Sequence, residues 1–122
     1  MLFRSRALLD NVTTRKLIIS EGLFGMDGDL ADVPSLSRLA RETGAGLLID
    51  DAHGVGLIGQ GGRGILSHYN MPSDSVDIYL GTFGKAFGAY GAFAAGSHEM
   101  IDGLVQLARP YMFSTSIGRA HV

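Results

Sequence analysis

The chain has 122 residues, 46% of them hydrophobic and 18% charged, with a formal net charge of −2. That length allows one domain at most, and so small a charge gives no basic footprint for nucleic acid or an anionic membrane. The absence of cysteine excludes a disulfide framework and a thiolate metal site. The expectation is a small-molecule partner and a reducing compartment, the cytoplasm.

Residues 1–10 carry Arg4 and Arg6 but no apolar run long enough for a signal peptide. No later run approaches the roughly 18 apolar residues of a membrane span. Residues 16–20 (KLIIS) form a short run of strand type, followed by a polar loop at 21–29. A helix is predicted next. Asp32 is its cap, Pro34 lies in its first turn, Leu36, Leu39 and Ala40 share one face, and Gly44 stops it. Residues 46–50 (GLLID) are a second strand, so strand, helix and strand make the βαβ unit of a parallel sheet. Residues 76–80 and 90–96 are predicted as two further strands, and residues 97–107 as a helix capped by Ser97. The class is α/β, with no internal repeat and no domain boundary.

Glycine is the compositional outlier, at 18 residues, and it crowds into residues 54–64 and 81–96. Gly54, Gly56 and Gly59 spell G-x-G-x-x-G after a strand, but Gln60-Gly61-Gly62-Arg63-Gly64 is a poor helix start and cannot present a helix N-terminus to a pyrophosphate. Gly84-Lys85 resembles the end of a P-loop, yet Ala86 stands where a hydroxyl should hold magnesium, and Tyr79 replaces the first glycine. A metal site at Asp50, Asp51 and His53 is not favoured, because neighbours on an extended chain point to opposite faces and cannot all converge on one ion.

What remains is an Asp and a His at the end of one strand and a lysine between small residues after another. In open α/β sheets, ligands lie beyond the carboxyl ends of the strands, where Asp50, His53 and Lys85 can converge. Taken alone, Asp50 and His53 also fit a plain strand-end turn. The chain has two lysines, and Lys85 is the one in an apolar, glycine-bearing stretch. An amine held among apolar groups is disfavoured as ammonium and becomes free to condense with an aldehyde. Pyridoxal phosphate suits these groups. Its ring nitrogen needs an anion, which Asp50 can supply; its phenolic oxygen needs a donor, which His53 can be; and Thr82 can donate to its phosphate.

The segments DDAHG at 50–54 and GTFGKAFG at 81–88 resemble the two signature segments of the α-oxoamine synthases. EGLFGMDGD at 21–29 resembles that family's loop before the cofactor site, and YMFSTS at 111–116 resembles the segment that reaches the phosphate of the partner subunit's cofactor. The resemblance covers about residues 16–116. It implies part of a fold-type-I pyridoxal-phosphate transferase large domain, a mostly parallel sheet with flanking helices. It further implies a decarboxylative condensation of an amino acid with a coenzyme A or carrier-protein thioester, a homodimer, Lys85 and His53 as catalytic groups, and Lys85, Asp50, His53, Thr82 and Thr115 around the cofactor. Members differ mainly in the amino acid and acyl group.

Two departures stand out. The family usually has serine where this chain has Gly25, and one hydrogen bond to a charged group is worth roughly 1.5–3 kcal/mol. Family enzymes are also several times longer, so the 122 residues are expected to be the central part of the large domain, without its N-terminal part and without the C-terminal domain. A non-catalytic piece that at most binds the cofactor is the contrasting expectation.

Overall fold

The computed structural model describes residues 2–109. In chain order the elements are α1 (Leu2–Asp10), β1 (Leu17–Glu21), α2 (Val33–Thr43), β2 (Gly46–Asp50), α3 (Ile65–His68), β3 (Ile78–Thr82), β4 (Ala92–Gly96) and α4 (His98–Leu107). The strands form one sheet in the order β1-β2-β3-β4. The first three are mutually parallel and β4 runs antiparallel to β3.

α2 forms where its end signals place it. The Asp32 carboxylate accepts a hydrogen bond from the Ser35 amide at 3.1 Å, satisfying a backbone donor that the helix itself leaves unpaired. At the other end Gly44 is left-handed, with φ +64°, and its N–H donates to Ala40 O. Between these ends Val33, Leu36, Leu39 and Ala40 are buried against Ile18 of β1 and Leu47 and Ile49 of β2. Each large side chain so removed from water stabilises the fold by about 1.5–3 kcal/mol. Ile65 of α3 joins the same core.

The third strand begins two residues later than its apolar run suggests, for an identifiable reason. Asp77 donates its N–H to Leu47 O at 2.9 Å, and its carboxylate accepts from Leu47 N at 2.7 Å, where a parallel ladder would use the carbonyl of an earlier residue of the same strand. A side chain thus replaces one rung of the ladder, and regular pairing starts at Ile78. Helix α1 was not expected from residues 1–10, which carry no cap signal. It packs on α2 through buried Leu9 and through an ion pair between Arg6 and Glu42. The expected Ser97 cap is present, accepting from Met100 N at 3.2 Å. Neither β4 nor α4 buries a residue among those described. No helix among the described residues is long and apolar enough to cross a membrane.

Gly44→Ala forces a Cβ into the left-handed region, so the urea midpoint should fall by the equivalent of about 1–2 kcal/mol. An unchanged midpoint would mean that α2 ends by another device.

Candidate active site

Parallel pairing brings the carboxyl ends of three strands into one row. Glu21 of β1 is in register with Asp50 of β2, and Asp50 with Leu80 of β3, two residues before Thr82. Strand alternation sends Asp50 and Asp51 to opposite faces. Asp50 is half-buried and accepts from the Ala52 amide at 3.0 Å, the local turn that a strand-end Asp favours. Asp51 follows Leu47 and Ile49 inward and has no exposed surface.

His53 lies just past this edge. Its Nδ1 is 3.4 Å from Glu21 Oε2, and the same oxygen is 3.4 Å from the Gly25 amide. The imidazole lies over Gly25, since a Cβ built there would stand 2.5 Å from both Cε1 and Nε2. The residue that departs from the family's serine is therefore the residue on which His53 rests. A side chain at 25 and the present position of His53 are sterically incompatible.

Thr82 ends β3 and is already engaged. Its hydroxyl donates to Gly91 O at 3.0 Å and accepts from Gly84 N at 3.1 Å. Donation to a phosphate would require its one hydrogen to leave Gly91. Lys85 sits in the following loop, where Gly88 N donates to Lys85 O and Ala89 N to Phe83 O. The apolar enclosure expected of Lys85 is not supplied by the described residues: the lysine is exposed, and so are Phe83 and Phe87 on either side of it. The structure thus places Asp50, His53, Thr82 and Lys85 along the sheet's carboxyl edge, with no hydrogen bond between the lysine side chain and the other three among the described residues. Thr115 lies outside the described residues. No group of three or more His, Asp or Glu able to hold a metal occurs among the described residues.

Asp51, which the sequence marks only as part of DDAHG at 50–54, has an architectural place in the structure. Its Oδ2 accepts from Ile65 N at 2.7 Å and from the Tyr79 hydroxyl, while its Oδ1 is buried without a partner. Three glycines collar the carboxylate. A Cβ at Gly54 or Gly22 would lie 2.1 or 2.6 Å from Oδ1, and one at Gly64 would lie 2.2 Å from Oδ2. The glycines that mimic a dinucleotide fingerprint are in part the space this carboxylate needs. Its parity with Leu47 and Ile49 was the available signal.

Burial pushes the Asp51 carboxyl above its ordinary range, against the lowering effects of the Tyr79 hydroxyl and the Ile65 amide. The Tyr79 hydroxyl is also pushed upward, by burial first and then by its bond to Asp51, and so it remains a donor.

The chain belongs to the aminotransferase class I and II family, whose sequence pattern matches residues 5–122. Its relatives include the 8-amino-7-oxononanoate synthase of Pseudomonas putida, 50% identical over 108 residues that make up 88% of this chain and 28% of that protein. Among solved structures it superposes on serine palmitoyltransferase with a pyridoxal phosphate internal aldimine, at TM-score 0.85 and 30% identity, over 95% of this chain and 29% of that one. It also superposes on the 8-amino-7-oxononanoate synthase of Francisella tularensis, at TM-score 0.73 and 27% identity, over 93% of this chain and 33% of that one. These relatives are α-oxoamine synthases, as the motifs imply, and the sheet is part of the expected pyridoxal-phosphate transferase fold. The chain spans about 28% of the length of the curated relatives it matches.

A carboxyl with a raised folded-state pKa holds its proton more firmly when folded, so it favours folding below the ordinary carboxylate range. That contribution is lost as pH rises through the raised value. Urea midpoints measured from about pH 4 to about pH 7 should fall with pH, and Asp51→Asn should flatten the slope. A slope unchanged in Asp51→Asn would assign it to another group.

Proposed function

We propose that the chain is the central part of the large domain of a pyridoxal-phosphate acyltransferase that condenses L-alanine with a pimeloyl thioester, giving 8-amino-7-oxononanoate for biotin synthesis. The carrying observation is 50% identity over 108 residues to a synthase of that name, spanning both signature segments. Glycine C-acetyltransferase or another α-oxoamine synthase is the near alternative, differing in amino acid and acyl group. The proposal includes a homodimer in the cytoplasm.

The residues present fit the cofactor in part. A half-buried carboxylate ends β2, an imidazole three residues on has its Nε2 unpaired among the described residues, and an exposed amine follows β3. Bound there, pyridoxal phosphate supplies an aldehyde for an amine and an electron-withdrawing ring that tolerates negative charge on the substrate α-carbon. Lys85 would hold it through Nζ and, once the amino acid has taken that place, accept the α-proton on the same nitrogen. Asp50 would face the ring nitrogen and keep it protonated. His53 would donate from Nε2 to the phenolic oxygen, with Glu21 orienting the ring through Nδ1. Thr82, released from Gly91, and Thr115 would serve the phosphate.

A second reading takes the 122 residues as a non-catalytic piece that at most binds the cofactor. The exposure of Lys85, β4 and α4 favours it. Alanine-dependent thiol release from a pimeloyl thioester separates the two, since only the first reading expects it.

Adding pyridoxal phosphate should produce the near-visible absorption of a lysine–cofactor linkage, and Lys85→Ala should abolish it. No band at high cofactor concentration would reject the site. If alanine-dependent turnover is present, Asp50→Ala should lower it by roughly two decades or more, because several kcal/mol of charge stabilisation is lost.

A further inference from the structure

We propose that the glycine-rich loop at residues 54–64 positions Lys85, with Gly56 as the contact that seats the lysine's loop. The proposal deepens the cofactor-lysine assignment and rests on it for the meaning of Lys85.

Gly56 has φ +85°, and a Cβ built on it would lie 2.7 Å from Ala86 Cβ and 3.4 Å from Phe87 Cζ. Its backbone therefore meets the two residues that follow Lys85 more closely than any side chain at 56 permits. The contact is held from behind. Gly56 N donates to Gly62 O at 2.7 Å, and a Cβ at Gly62 would come within 3.2 Å of the Gly56 carbonyl. Val55 and Arg63 form a bridge beside it.

Both ends of this loop are tied to Asp51. Gly54 N and Val55 N donate to Asp51 O at 3.0 Å, and Ile65 N donates to Asp51 Oδ2. Asp51 in turn is fixed to β3, through its own N–H to Leu80 O and through the Tyr79 hydroxyl. The loop is thus braced on the strand that leads into the Lys85 loop and touches that loop again at Ala86 and Phe87. Lys85, exposed and without a hydrogen bond or ion pair to Asp50 or His53, is located relative to them by this double attachment. Gly56 is a positioning residue. It acts through Ala86 and Phe87 on the Lys85 loop.

The test uses the whole chain and two readouts: amide hydrogen exchange at Gly88 and Ala89, which close the Lys85 turn, and the absorption band formed with pyridoxal phosphate. Gly56→Ala should speed exchange at both amides by about tenfold or more and weaken cofactor linkage in parallel. Gly61→Ala is the control, being equally left-handed at φ +63° but with nothing within 4 Å of its Cβ. It should leave the Lys85 turn unchanged. Adding Gly56→Ala to Ala86→Gly should have far less effect than adding it to the native chain, because the clashing methyl is gone.

Equal effects of Gly56→Ala and Gly61→Ala, or full additivity with Ala86→Gly, would overturn the proposal by reducing it to loop strain. If Gly56→Ala does not fold, Ala86→Val crowds the same contact from the exposed side, and unchanged exchange there would overturn it equally. Exchange that follows the expected pattern in a chain that never forms the band would sink the cofactor assignment and leave the loop contact standing.

Discussion

The fold around the candidate site depends on one carboxylate that water does not reach. Asp51 joins the end of β2 to β3 through Tyr79 and to α3 through the Ile65 amide, and one of its oxygens is left unpaired. Burying such a group is costly unless it is bonded. The cost is limited here by two donors on the other oxygen and by a raised affinity for a proton. In return the carboxylate pins both ends of a loop that would otherwise have little to hold it, since eleven residues containing six glycines carry few side chains able to pack.

Strand parity divides the work of two adjacent acids. Asp50 emerges at the sheet edge with its carboxylate close to solvent, and Asp51 turns into the core. The first is the acid proposed for chemistry and the second serves the architecture, and neither could exchange places with the other without reversing the alternation of β2. Parallel register sets Glu21 beside Asp50 and Asp50 beside Leu80, with Thr82 two residues further along β3, and such carboxyl edges recur as ligand sites in open sheets.

Much of this was legible beforehand because local signals carried it. The cap at Asp32, the stop at Gly44 and the apolar face of α2 are short-range chemistry, and the strand at Gly46–Asp50 matches its apolar run residue for residue. Non-local features were not legible. The Asp77 carboxylate in a ladder rung, the pairing of Arg6 with Glu42 and the meeting of Asp51 with Tyr79 join residues about 30 positions apart, and no window of sequence contains both partners. The crowding of glycine at 54–64 is visible in the sequence, but the reason for Gly54, Gly56 and Gly64 is not, because the groups they accommodate lie on other segments. Lys85 was expected among apolar neighbours, and its neighbours in sequence are indeed apolar, but they are themselves exposed. Adjacency in sequence does not amount to enclosure.

The imidazole resting on Gly25 makes positions 25 and 53 share one volume. Whatever bulk is added at the first must be surrendered by the ring at the second, so the two are one steric unit although 28 residues separate them. A serine at 25 therefore brings more than a hydroxyl: it moves a histidine. Relatives that differ at this glycine are then to be compared with this chain by the pair, since the same imidazole has a different range of orientations in each.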